Sequence, residues 1–298
     1  MGNIKSYFTI KELENISAVN AHTIRIWERR YRLFQPYRTP NNTRYYDLND
    51  LKYLLNIDLL RREGLKISKI ADYSKEEVFL LAKNIVDQSF VKEYTLMELK
   101  ISMYGYDVDL FDRVYEKAMK KNSFKIVFKN LFLPFLQYIG SFWQTKTITI
   151  AHEHFISNLI YQKIQLNIAQ LKKIPKSPSN VTFVLYLPEE EMHEISLLYL
   201  NYELKSKGYR TIYLGRSVPL EDLESLKSIY SAICWIAHFL ITPKPKTLEN
   251  YFNKIEALLT DSKHEYWAIG QNLLLKNKHN LPEKLFIYNS ITEILEKI

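Results

Sequence analysis

Two short stretches gather side chains able to hold a metal or a ligand. Residues 143–154 read WQTKTITIAHEH: His152 and His154 flank Glu153, and Trp143 lies ten residues before that glutamate. An ordinary helix with polar residues on its wet side would show the same residue types, so this stretch takes its meaning from what surrounds it. Residues 189–196 read EEEMHEIS, one proline after the apolar run VTFVLYL. A neutral imidazole such as His193 is a transition-metal ligand, and a nearby carboxylate, here Glu191, can hold its other ring nitrogen. If VTFVLYL is a strand of a parallel sheet, His193 stands at its carboxyl end, where doubly wound sheets bind ligands.

The elements that must position these residues fall into three segments. Residues 1–73 read as short helices with a hairpin. Thr9 can cap a helix through IKELENIS, with Ile10, Leu13 and Ile16 on one face. Asn20 can cap a second helix, AHTIRIWERRY, whose buried stripe is Ile24 and Trp27. In FQPYRTPNNTRYY, Pro36, Pro40 and Asn41-Asn42 break helicity and the last four residues favour a strand, which reads as a wing. Residues 74–174 are nearly all helix. Ser74 with Glu77 makes a capping box, and four apolar-periodic segments starting at Val78, Asp107, Lys125 and Ile148 predict an antiparallel four-helix bundle. The Pro/Ser stretch KIPKSPSN marks a boundary. From 180 to 298, five runs rich in β-branched and aromatic residues alternate with helical stretches, including LEDLESLKSIY, which predicts a doubly wound parallel sheet.

The charge balance points the same way. Of the net +8, residues 1–72 carry +5, from 13 Lys+Arg against 8 Asp+Glu. A basic end on a near-neutral body suggests a polyanion partner, nucleic acid before membrane. No apolar run is long enough to span a bilayer, and no basic start precedes an apolar run as in a signal peptide. The single cysteine, Cys234, rules out an internal disulfide and fits a reducing cytoplasm. Seven glycines in 298 residues leave few places for close backbone approach to a ligand.

The order T-I-R-x-W-E-R-R-Y, then P-x-R-T, then T-R-Y-Y and D-L resembles the N-terminal winged helix–turn–helix of the MerR family of transcription regulators. The resemblance implies that His22, Thr23 and Arg25 lie at the major groove, with Arg29, Arg38, Arg44 and Tyr45 near the phosphate backbone of a double-stranded operator. Trp27 and Tyr31 are expected in the core. The helical and parallel-sheet segments that follow resemble the cobalamin-binding, light-responsive repressors of the CarH/LitR type. Those proteins carry a tryptophan, nine residues and then Glu-His, as here at Trp143 and Glu153-His154. Their E/D-x-H-x-x-G motif appears as Glu191-Met192-His193-Glu194-Ile195-Ser196.

What this second resemblance implies is adenosylcobalamin with its cobalt held from below by His193 and the adenosyl group flanked by Trp143 and Glu153. His154 would bind cobalt once the adenosyl has left; His152 is off the pattern and is expected to face solvent. The cofactor would be a light-sensitive switch of oligomeric state, the protein being a homo-oligomer, dimer or tetramer. Ser196 replaces the motif's glycine, Ala237-His238-Phe239 stands where the family has S-x-L, and Ile269-Gly270 stands for Gly-Gly. Lys146 replaces the glycine of Trp-x-x-Gly. The small residues at the sheet positions normally leave room for the cofactor's nucleotide tail, so Ser196, Phe239 and Ile269 are expected to narrow it. Three functions follow: a cobalamin-controlled regulator, a regulator that has lost the cofactor and uses its C-terminal domains to oligomerise or to bind a protein, and a corrinoid methyl carrier or mutase subunit. The DNA-reading end argues against the enzyme.

Overall fold

The computed structural model describes residues 7–88, 92–143, 148–172, 177–240, 245–260, 263–270, 273 and 282–298. The chain divides into two compact units, Met1–Leu159 and Ile160–Ile298.

The first unit opens with β1 (Tyr7–Thr9), α1 (Ile10–Ser17), α2 (Ala21–Tyr31), β2 (Tyr37–Arg38), β3 (Arg44–Asp47) and α3 (Leu48–Arg62). Each boundary has a local cause. Thr9 and Glu12 close a capping box on α1, with Thr9 N–H donating to Glu12 Oε2 at 2.8 Å. Ala18, in the left-handed region at φ 60°, ends that helix, and Asn20 Oδ1 accepts from the His22 N–H to start α2. The tight turn between them turns Ile24 and Trp27 into a core with Phe8, Leu13, Ile16 and Tyr46. The strands form an antiparallel sheet in the order β1-β3-β2, pairing Phe8 with Tyr46 and Arg38 with Arg44. The wing expected from the sequence is therefore joined by a third strand, Tyr7–Thr9.

After α4 (Ile67–Ile70) come α5 (Lys75–Gln88), α6 (Lys92–Gly105), α7 (Val108–Met119), α8 (Phe124–Val127), a π-helical stretch Phe128–Phe132, α9 (Leu133–Trp143) and α10 (Ile150–Ala169). Ser74 and Glu77 cap α5 as the sequence predicts. Helix α6 is not among the four segments picked out by periodicity. Its buried residues Met97, Leu99, Ile101, Ser102, Met103 and Tyr104 fall around the helix rather than along one stripe, because α3, α7 and the π-helical stretch enclose it on several sides. Helix α5, which the sequence reading counted into the bundle, packs on α3.

The second unit carries β4 (Thr182–Pro188), α11 (Ile195–Ser206), β5 (Arg210–Val218), β6 (Ile233–His238), α12 (Pro245–Leu258), β7 (Glu265–Ile269), β8 (Leu285–Tyr288) and α13 (Ile291–Lys297). All five strands are parallel, in the order β5-β4-β6-β7-β8, the flavodoxin-like winding. Alternate residues of β6 feed two cores, Trp235 and Ala237 on one face and Cys234 and Ile236 on the other. LEDLESLKSIY forms a 3-10 helix over Leu220–Ser228 rather than an α-helix. Its apolar residues Leu220, Leu223 and Leu226 recur every three, which matches the 3-10 repeat. Among the described residues no helix is long and apolar enough to cross a membrane.

Candidate nucleic-acid interface and ligand site

Helix α2 buries Ile24 and Trp27 and leaves His22, Arg25 and Arg29 exposed, with Thr23 half-buried. His22, Arg25 and Arg29 are spaced three and four apart, so they share one face of the helix. Tyr31 is half-buried beneath the Arg30 guanidinium, 5.4 Å from its ring centre. On the wing, Arg38 is exposed, and Arg44 and Tyr45 are half-buried.

A residue that motif reading passed over joins these parts. Glu28, on α2, accepts from Arg44 Nε at 2.9 and 3.1 Å, from Tyr46 OH at 3.3 Å and from Arg38 Nη2 at 3.5 Å. Arg38 also donates to Asn42 Oδ1 at 2.6 Å, across the turn of the wing. One carboxylate thus ties the expected recognition helix to both wing strands. The signal was a lone acid inside the run R-I-W-E-R-R.

In the helical segment, Trp143 is the last residue of α9, and its side chain, like Lys146, lies outside the described residues. Glu153, half-buried, and His154, exposed, sit in the first turn of α10. His152 departs from expectation: it is buried, not solvent-facing. Its ring stacks on Tyr106 at 4.8 Å and lies 5.4 Å from Tyr104, while Nδ1 is 2.9 Å from Thr149 Oγ1. The contact with Thr149 at the helix start and the two tyrosines draw the imidazole inward.

The sheet unit places Glu191 and His193 between β4 and α11, at the carboxyl ends of the strands where β4 is flanked by β5 and β6. The strand order reverses there, β5 lying on one side of β4 and β6 on the other, which is the switch point at which such sheets bind ligands. Glu191 is 1% exposed. Its Oε1 accepts from the Met192 N–H at 3.0 Å, the His193 N–H at 3.1 Å and lies 2.6 Å from His193 Nδ1. Its Oε2 accepts from the Leu240 N–H at 3.1 Å, which ties the segment after β4 to the end of β6. A buried carboxylate with this many donors is held firmly, and it holds His193 in turn. Because Nδ1 faces the carboxylate, Nε2 is the ring nitrogen that a metal would take. The His193 side chain is 43% exposed. This donor set suits cobalt: an imidazole whose second nitrogen is fixed by an acid.

The substituted positions around it are packed. Ser196 Oγ lies 2.8 Å from His238 Nδ1. Burial pushes His238 down from 6.5 to about 4, with the charge of Glu191 opposing and that of His193 assisting, so it is neutral at pH 7. Phe239 meets Tyr251 and Phe252 edge-on, and Ile269 is buried on the opposite face of the sheet.

Comparison with known proteins agrees with this division of labour. The family described as MerR HTH family regulatory protein matches residues 8–77, and that described as B12 binding domain matches residues 96–166, from α6 to α10. The HTH-type transcriptional repressor CarH of Myxococcus xanthus is 27% identical over 222 residues, covering 72% of this chain and 73% of that protein. The repressor CarA of the same organism is 27% identical over 218 residues, covering 72% and 70%. In structure, the monomethylamine corrinoid protein of Methanosarcina barkeri aligns with TM-score 0.56 over 70% of this chain and all of its own, at 10% identity, a likeness of fold. In domain content and order the chain is therefore similar to the CarH-type MerR regulators: a segment matching the MerR HTH family, a helical segment matching the B12 binding domain and a flavodoxin-like sheet.

Proposed function

We propose that this chain is a cytoplasmic transcription repressor that binds double-stranded operator DNA and is controlled by adenosylcobalamin and light through its state of homo-oligomerisation, dimer or tetramer. Its working divisions are a DNA-binding domain over 1–73, a helical cap over 74–174 and a cofactor domain over 180–298. The observation that carries this reading is His193, held by buried Glu191 at the switch point of the sheet, in the same chain as a MerR-type reading head. His22, Thr23 and Arg25 read base edges; Arg29, Arg38, Arg44 and Tyr45 grip the backbone. His193 would hold cobalt through Nε2, and Glu191 would keep the ring in the tautomer that can do so. Trp143 and Glu153 would line the adenosyl group, and His154 would be a second imidazole able to hold cobalt. When bound, the corrinoid supplies a light-labile cobalt–carbon bond. No chemistry on a substrate is required; one assembly state need only bind the intact cofactor better than the other.

The test is an absorption spectrum of the full chain mixed with adenosylcobalamin, before and after light. The wild type is expected to hold the red cofactor. His193→Ala should lose the imidazole-ligated spectrum, and His154→Ala should bind in the dark yet lack the bis-imidazole spectrum after illumination. Identical light-minus-dark spectra in wild type and His154→Ala would remove His154 from the site. A second reading, a regulator that oligomerises without a corrinoid, is favoured by the packing of Ser196, His238, Phe239 and Ile269. A colourless wild type after mixing would establish it over the first.

A further inference from the structure

Cobalamin carries its own lower base, a benzimidazole nucleotide tethered to the corrin ring. If His193 takes the lower cobalt position, that base is displaced and its tail must be housed within reach of His193 or remain in water. The surroundings of His193 decide between these.

Under the strand ends both faces of the sheet are filled among the described residues. On one face Ile269 is buried with Leu187, Leu197, Leu200, Ile236 and Ile294. On the other, Phe239 packs with Tyr251 and Phe252, and Tyr186 lies hydrogen-bonded to Tyr251 at 2.8 Å and to Tyr266 at 2.5 Å. Opening that face would leave buried phenols without partners, which is costly. Between the faces, at the strand ends, the Ser196–His238 hydrogen bond joins α11 to β6. Gly270 is the glycine that remains next to Ile269, and even a methyl group there would meet Phe239 O at 2.6 Å and Leu273 Cγ at 3.1 Å. Among the described residues, a cavity of about 330 Å³ in this unit lies beside Val181, Ile233 and Glu265, at the amino ends of the strands. His193 stands at the other end.

We infer that this chain binds corrinoids through the ring and His193 alone, with the nucleotide tail left in solvent, so that it accepts corrinoids whatever their lower nucleotide. This rests on the corrinoid reading above and sharpens it to a ligand class. A tail in solvent contributes no contacts, whereas its base competes with His193 for cobalt. A corrinoid without the nucleotide therefore binds at least as well as one with it.

The experiment titrates the full chain with aquacobalamin and, separately, with diaquacobinamide, which lacks the nucleotide, and reads the visible spectrum. Cobinamide is expected to bind more tightly than cobalamin or within about threefold of it. His193→Ala should abolish the imidazole-ligated spectrum with both, which separates site binding from adsorption. Cobalamin binding tighter than cobinamide by more than about threefold would overturn the inference while leaving the corrinoid reading intact. Uptake of neither probe would end the corrinoid reading and this inference with it.

Discussion

Replacing Glu28 by Gln sets two physical effects against each other in sign. By charge alone the substitution should help DNA binding: it deletes a carboxylate from the helix expected in the major groove, and a gain of one positive charge near phosphates strengthens association severalfold at low salt. The structure argues the reverse. Glu28 is 11% exposed and meets Arg44, 25% exposed, through Nε at 2.9 Å, so this ion pair is shielded and charge-assisted. Arg38, 42% exposed and 3.5 Å away, adds little by itself. A charge-assisted bond of this kind is worth roughly 1.5–3 kcal/mol, and Gln keeps an acceptor but loses the charge, so about 1–2 kcal/mol of wing alignment is lost. Pairing of Phe8 with Tyr46 keeps the sheet itself folded. Transmitted fully, the loss weakens DNA binding by about 5–30-fold. The assay is fluorescence anisotropy on a duplex selected by the wild-type protein from a randomised pool, at two salt concentrations, with circular dichroism to verify folding. Binding by Glu28→Gln as tight as wild type, or tighter, would refute the role of Glu28 as a clamp.

Three further outcomes follow from groups whose environments are set by the fold. The sheet unit should lose stability as pH drops from 6.5 toward 4, because folded His238 binds its proton more weakly than the unfolded chain does; the loss reaches about 3 kcal/mol, and His238→Leu should flatten it in urea melts taken across that window. If the two pH profiles coincide, His238 is not the responsible group. Lys100 is held down to about 8 by burial and then by the charge of Arg62, and it sits 3.9 Å above the Tyr138 ring. Lys100→Met should therefore raise stability at pH 7 by about 1–2 kcal/mol, the relief of burial less the lost cation–π contact, visible as a higher Tm; a lower Tm contradicts the burial argument. Arg25→Ala should flatten the base preference recovered from the randomised pool, and an unchanged preference would take Arg25 off the base edges.

Much of this was legible in the sequence because the local rules agreed with the fold. Thr9, Asn20 and Ser74 start helices where their caps predict, and the five apolar runs from Val181 onward all became strands of one parallel sheet. A helix was passed over where packing on several sides removed periodicity, as in α6, whereas the stretch Leu220–Ser228, read as helical, is helical with a 3-10 repeat. Within the candidate site, the pairing of Glu191 with His193 follows from their separation by one residue. The burial of His152 did not, because it depends on Tyr104 and Tyr106, some 46 to 48 positions earlier. Glu28 escaped for the same reason: its partners, Arg38, Arg44 and Tyr46, lie across a turn whose geometry no local pattern records.

The central claim is that a corrinoid at His193 governs DNA binding by the same chain. The most direct measurement is the affinity of the full chain for its selected duplex, by anisotropy, without cofactor, with adenosylcobalamin in the dark, and after illumination of that same sample. Tighter binding in the dark with cofactor, reversed by light and absent in His193→Ala, is the predicted result. One affinity under all three conditions, from protein that has taken up the cofactor, would contradict the account.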